Sequence, residues 1–144
     1  MRIIKMKPEN KEIKTNLSAM GGNERILCVD DEKEIVRVEQ QILERLGYLV
    51  TSKSSGVEAL AAFQITPDNY DLVITDMSMP DITGIKLVEQ LIKIRKDIPI
   101  ILCTGFSEKI SEEKMKTLGI KNFLIKPFAM NDLSNAIRKV LDKT

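Results

Sequence analysis

Apolar residues along the chain fall into short continuous runs, separated by longer stretches in which they recur every three to four positions. This is the pattern of strands alternating with amphipathic helices. The continuous runs are Ile26 to Val29, Leu72 to Ile74, Ile100 to Cys103 and Phe123 to Ile125, with a more polar counterpart at Tyr48 to Ser52. An unbroken apolar run leaves no face for water, so these strands belong in a sheet covered on both sides, and the polar one nearer its edge. The first helix is expected to present Ile35, Val38, Ile42 and Leu46 to the core and to stop at Gly47. Ser54, Ser55 and Gly56 open a second helix that reaches about Ile65 and ends before Pro67. Ile85, Leu87, Val88, Leu91, Ile92 and Ile94 mark a third. A fourth, from about Ser107 to Leu118 and closed by Gly119, has only Ile110, Met115 and Leu118 apolar and should be the least firmly packed. Leu133, Ala136, Ile137, Val140 and Leu141 give the last helix one apolar face.

Alternating strands and helices imply a doubly wound α/β domain, with a five-stranded parallel sheet, five helices and right-handed crossovers. The alternation does not choose among strand orders. Residues 1–22 are rich in Lys, Glu and Asn, end in Met-Gly-Gly and follow neither period. They are read as a flexible tail or linker, within which Ile3, Ile4 and Met6 suit a short strand on a partner, and residues 23–144 as the domain.

In a parallel sheet all carboxyl ends lie on one edge, where open α/β sheets hold their ligands. Four of the five runs end there in a polar residue: Asp30 and Asp31, Asp76, Thr104, and Lys126. Singly, each is ordinary: an aspartate after a strand is usually a cap or turn, Thr-Gly is turn chemistry and a lysine is usually a solvated charge. Together they make a site. Three carboxylates in one pocket repel unless a divalent cation and a positive side chain compensate them. Asp76, at the end of the third strand, then suits the role of a nucleophilic carboxylate, with Lys126 and the Thr104 hydroxyl placed to receive phosphoryl oxygens.

Composition narrows this further. The 144 residues carry a formal net charge of +1, with neither sign in a long block, so no direct nucleic-acid contact is expected. No run approaches a membrane span and no secretion signal is seen, so the protein is expected to be cytoplasmic. Cys28 and Cys103 lie inside apolar runs and read as buried hydrophobes. The chain has no histidine. That excludes Ser-His and Cys-His catalysis and a phosphohistidine of its own, and it leaves any metal to oxygen ligands, hence to a hard cation such as Mg²⁺ or Ca²⁺.

The acidic pair Asp30-Asp31, Asp76 followed by Met79-Pro80 and Gly84, Thr104, and Lys126-Pro127 together resemble the receiver domain of two-component response regulators, over about residues 24 to 143. The resemblance implies a flavodoxin-like sheet of order 2-1-3-4-5. It implies that Asp76 is the phosphoacceptor and that Lys126 and Thr104 contact the phosphoryl group. Mg²⁺ would be held by Asp31, Asp76 and the Ser78 backbone carbonyl, with Asp30 assisting through water. It further implies a cis peptide at Pro127, a switch pair in Thr104 and Phe123, and an influence of Ser78 and Phe106 on hydrolysis. A core aromatic remains the other reading of Phe123.

The expected function is a phosphorylation-dependent switch in a phosphorelay. Its donor is a histidine kinase or histidine phosphotransfer protein, and its output passes to a downstream protein or a self-dimer through the fourth helix, fifth strand and fifth helix. It is expected to catalyse only its own phosphorylation and dephosphorylation, and so not to be an enzyme with a turnover substrate. The Gly21-to-Arg25 lead-in resembles linkers before the terminal receiver of a hybrid histidine kinase; a stand-alone regulator is the alternative. A haloacid-dehalogenase-type phosphohydrolase would need Asp-x-Asp after the first strand. An FMN binder would need a Ser/Thr/Gly-rich loop there, where this chain has two acids.

Overall fold

The computed structural model describes residues 21–105, 112–120 and 122–142. Within them β1 (Arg25–Val29), β2 (Leu49–Lys53), β3 (Leu72–Asp76), β4 (Ile100–Thr104) and β5 (Asn122–Ile125) form one parallel sheet in the order β2-β1-β3-β4-β5. The helices are α1 (Lys33–Arg45), α2 (Gly56–Ile65), α3 (Gly84–Ile94), α4 (Glu112–Leu118) and α5 (Met130–Leu141), with a 3₁₀ turn at Pro67–Asn69. The fold is the doubly wound, flavodoxin-like arrangement that the alternation and the resemblance imply. The tail up to residue 20, Phe106 and the expected start of the fourth helix at Ser107 lie outside the described residues.

The two-residue period of the strands divides the core into two layers. Leu27, Val29, Val73, Ile100 and Leu102 point to one side, where Ala59 and Phe63 of α2, Leu87, Val88 and Leu91 of α3, and Met115 of α4 cover them. Ile26, Cys28, Leu72, Ile74, Ile101 and Cys103 point to the other, beneath Val36 and Leu43 of α1 and Leu133, Ala136, Ile137 and Val140 of α5. Each residue of β3 and β4 is therefore buried, which is why their sequences do not alternate. Cys28 and Cys103 are free and buried, on strands separated by β3.

The helix starts follow their side chains. The Ser55 hydroxyl accepts from the Glu58 amide at 3.1 Å and the Thr83 hydroxyl from the Lys86 amide at 3.2 Å, satisfying first-turn donors. Gly21 and Gly22 are hydrogen-bonded to the domain: the Gly22 amide donates to the Leu46 carbonyl at 3.2 Å, and Arg138 of α5 donates to the Gly21 carbonyl at 3.2 Å and to Glu24 at 2.6 Å.

The buried face of α1 differs from the expected one. Val36, Glu39 and Leu43 are buried, whereas Ile35 and Val38 are 36% and 50% exposed and Ile42 and Leu46 are half-buried. Two stripes compete on this helix. An acid at position 39 disguises the true one, because a glutamate among apolar positions reads as the solvent side.

Gly84 opens α3 directly behind the carboxyl end of β3, its amide donating to the Met77 carbonyl at 2.8 Å. A Cβ at this position would stand 2.4 Å from the Asp76 carbonyl oxygen and 2.8 Å from Met77 Cα, both backbone atoms that cannot step aside. Gly84→Ala is therefore expected to cost about 1–3 kcal/mol by overpacking, read as a lower urea midpoint at unchanged slope.

Candidate functional site

Counting by twos past the strand ends puts Asp30, Asp76 and Lys126 on the α1/α5 side of the sheet and Thr104 on the other. The structure gathers the first three. Asp30 follows β1; its amide donates to the Lys53 carbonyl at 3.2 Å, and its Oδ1 accepts from the Glu32 amide at 3.0 Å, an Asx turn that leads into α1. Its Oδ2 accepts from the Lys126 ammonium at 2.7 Å, and the same ammonium lies 3.1 Å from Asp76 Oδ1. Lys126 is held in turn by its own amide, which donates to the Thr104 carbonyl at 2.7 Å, and the Lys126–Pro127 peptide is cis. Thr104, the last residue of β4, is buried.

Asp31 is exposed at the rim, yet one oxygen from each of Asp30, Asp31 and Asp76 lies within 4.8 Å of the others. The donors fit a hard divalent cation. They are oxygens only, and one ammonium stands against three carboxylates, so negative charge is left over. Asp31 also shares a groove of about 400 Å³ with Ser78, Met79 and Pro80 in the loop between β3 and α3, which brings Ser78 to the same rim.

Burial raises the Asp76 carboxyl to about 6; Lys126 opposes this rise and the neighbouring Asp30 and Asp31 add to it. Burial works against the Lys126 charge, but the hydrogen bonds to Asp30 and Asp76 outweigh it and hold its pKa above the ordinary value. Glu39 of α1 is a group that the sequence pattern hides. It is buried behind this cluster, and burial, with Asp30 and Asp76 adding, pushes it up to about 7 against the pull of Lys126. The signal for it was available: residue 39 falls between Val36 and Leu43 at helical spacing. Asp81 was also overlooked; it accepts from the Val57 amide of α2 at 2.9 Å. Phe123 on β5 is 40% exposed, so the core-aromatic reading of it does not hold.

The sequence profile of the response regulator receiver domain matches residues 26–138. The chain belongs to the response regulator receiver family. This receiver is 33% identical over 83% of its length to the two-component response regulator ARR10 of Arabidopsis thaliana, and 36% identical over 85% to the probable transcriptional regulator ycf27 of Cyanophora paradoxa. It spans 22% and 50% of the length of those relatives. Among solved structures, a receiver domain protein from Clostridium thermocellum superposes with a TM-score of 0.78 at 32% identity, covering 83% of this chain and 95% of that one. TrrA from Thermotoga maritima, in complex with Mg²⁺-BeF, gives 0.72 at 35% identity, covering 82% and 99%. As a receiver, the domain serves phosphorylation-based signalling, and its acidic cluster is of the kind with which receivers bind Mg²⁺.

The two raised acids make stability depend on pH in the metal-free receiver. Folded Asp76 and Glu39 hold protons more tightly than their ordinary values of 3.8 and 4.5. Their contribution is therefore fully present below those values and is lost as pH rises through about 6 and about 7. Asp71 and Asp81, whose pKa values are lowered, contribute above 3.8 and lose that contribution only on stronger acidification. The unfolding free energy in chelator, measured by urea titration, is expected to fall between pH 5 and pH 8 by on the order of 1–2 kcal/mol per group. Asp76→Asn and Glu39→Gln should each flatten the curve, and Mg²⁺ should restore stability at pH 8.

Proposed function

We propose that Asp76 is the phosphoacceptor of a phosphorelay switch, charged by the phosphohistidine of a kinase or phosphotransfer protein with Mg²⁺ present. The observation that carries this is the single ammonium of Lys126 lying between Asp30 and Asp76 inside a cluster of three acids. In the step itself an oxygen of ionised Asp76 forms a bond to phosphorus as the donor's phosphorus–nitrogen bond breaks. The electron pair returns to the donor imidazole, which leaves as the neutral ring because its other nitrogen carries a proton in the transfer. Lys126 neutralises one phosphoryl oxygen and the Thr104 hydroxyl donates to another. Asp31, Asp76, the Ser78 carbonyl and, through water, Asp30 would hold Mg²⁺, which when bound would add charge neutralisation at the phosphoryl group.

The donor histidine lies outside these 144 residues, which contain none. The donor's docking surface is the apolar stripe that α1 leaves in water. Ile35 and Val38 line a groove of about 470 Å³ with Pro127, Phe128 and Met130, and Lys126 stands in its wall. The outcome is a change of surface rather than product release. Thr104 pairs in register with Ile125, next to Phe123, and both β5 side chains are exposed, so a shift of Thr104 toward a phosphoryl group alters the face made by α4, β5 and α5. A downstream protein or a second copy is the reader of that face.

With acetyl phosphate and Mg²⁺, the wild type should gain one phosphoryl group that hydroxylamine removes, and Asp76→Asn should gain none. Equal labelling of the two would sink the assignment, and steady hydrolysis of a phosphomonoester would replace the switch with an enzyme. Ile35→Glu and Val38→Glu should slow transfer from a phosphohistidine protein by about tenfold or more, the loss of an interface anchor. They should leave labelling by acetyl phosphate unchanged, since that donor needs no docking surface.

A further inference from the structure

Asp81, five residues beyond Asp76 in the loop between β3 and α3, is exposed, yet its carboxylate is fully engaged. Oδ1 accepts from the Ile82 amide at 2.9 Å and from the Gly56 amide at 3.4 Å, and Oδ2 accepts from the Val57 amide at 2.9 Å. Gly56 and Val57 are the first residues of α2, so the loop that follows the phosphoacceptor is tied to the first turn of another helix, where an anion meets unpaired amides and the positive end of the helix dipole. Packing closes the same joint. A Cβ on Gly56 would stand 2.0 Å from Ile82 Cγ2, which shows how closely the loop rests on α2.

The turn that receives this hook also holds the other side of the site. Lys53, three residues before Gly56, accepts the Asp30 amide at 3.2 Å. The acidic loop after β1 and the loop carrying Ser78 are therefore fastened to the two ends of the short β2–α2 connection, the last residue of β2 and the first turn of α2, although they come from different strands. The Ser78 loop is anchored on both sides: before it by the Met77 amide on the Cys103 carbonyl and the Gly84 amide on the Met77 carbonyl, both at 2.8 Å, and after it by Asp81 on α2. Ser78 lies between them.

We propose that Asp81 is a positioning residue for the metal half of the site: by hooking the β3–α3 loop to α2 it sets where the Ser78 carbonyl stands relative to Asp31 and Asp76. This rests on the reading of the Ser78 carbonyl as a metal ligand. Asp81 itself does not touch the metal or the phosphoryl group; it acts through the loop. Residues that orient metal ligands without binding the metal commonly change affinity by tenfold to a hundredfold when removed.

The test measures Mg²⁺ binding to the full chain by calorimetry, without any phosphodonor, for wild type, Asp81→Ala, Asp81→Asn and Ser55→Ala. Ser55→Ala is the control: it removes the side-chain cap of the same helix and leaves the hook intact. Asp81→Ala is expected to weaken Mg²⁺ by about tenfold or more, and Asp81→Asn, which keeps one acceptor oxygen, by less. Ser55→Ala should lower the urea midpoint yet bind Mg²⁺ within about twofold of wild type. With acetyl phosphate, Asp81→Ala should need more Mg²⁺ but reach the wild-type maximal rate at saturation. The proposal is overturned if Asp81→Ala binds Mg²⁺ like wild type, or if Ser55→Ala weakens it equally. Should Asp81→Ala fail to fold, the comparison of Asp81→Asn with Ser55→Ala decides on the same terms. A wild type that binds Mg²⁺ and accepts no phosphoryl group overturns the phosphoacceptor reading and leaves the hook standing; a wild type that binds no Mg²⁺ overturns both.

Discussion

The ammonium of Lys126 is the constraint on which the site depends. It leaves β5 at one edge of the sheet and reaches past β4 to Asp76 on β3 and to Asp30 beyond β1. Two buried carboxylates would otherwise stand side by side in a place where burial already disfavours their charge. That one side chain spans so much of the sheet explains why its backbone is fixed so firmly, with its amide on the Thr104 carbonyl. A lysine free to swing would leave uncompensated acids at the head of a packed core.

Compensation is nevertheless incomplete. Asp31 adds a third carboxylate at the rim and Glu39 adds a fourth acid from beneath, while Lys126 is the one cation engaged with the cluster by ion pairs among the described residues. Excess negative charge at a sheet edge destabilises the metal-free fold above the pKa values of these acids, and the same excess suits the cluster to a cation. Affinity for the metal and marginal stability without it are thus two expressions of one charge distribution.

How far this was legible in the sequence follows from which rule governed each residue. Asp30, Asp76, Thr104 and Lys126 were found because each ends an apolar run, and chain direction alone sends all parallel strand ends to one edge. The strand order needed the family resemblance, since alternation is the same for several topologies. The face of α1 was misread because Ile35 and Val38 are apolar and Glu39 is not; the pattern assumes that apolar residues go inside, whereas apolar side chains left in water and a buried acid each break that assumption. Asp81 follows Pro80 in a loop, where an acid is ordinary turn chemistry and draws no notice. Its tie to α2 joins positions 24 residues apart and has no local signature.

The two-residue period of the strands also sets the carboxylates and the ammonium of the site apart from Thr104 and the exposed residues of β5. Asp30, Asp76 and Lys126 share the side of α1 and α5, and the exposed apolar residues of α1 lie on that side, beside the ammonium. Thr104 has the opposite parity, with Ile125 as its register partner and Phe123 two residues before it, both exposed on β5. A phosphoryl group on Asp76 would stand at the sheet edge between the two sides, within the span of side chains from each. The exposed β5 side chains thus lie on the side away from the α1 groove, whereas α5, which contributes Met130 to that groove, borders both proposed surfaces. That division follows from pleat geometry at the ends of β3, β4 and β5, and it requires no hinge in the sheet itself.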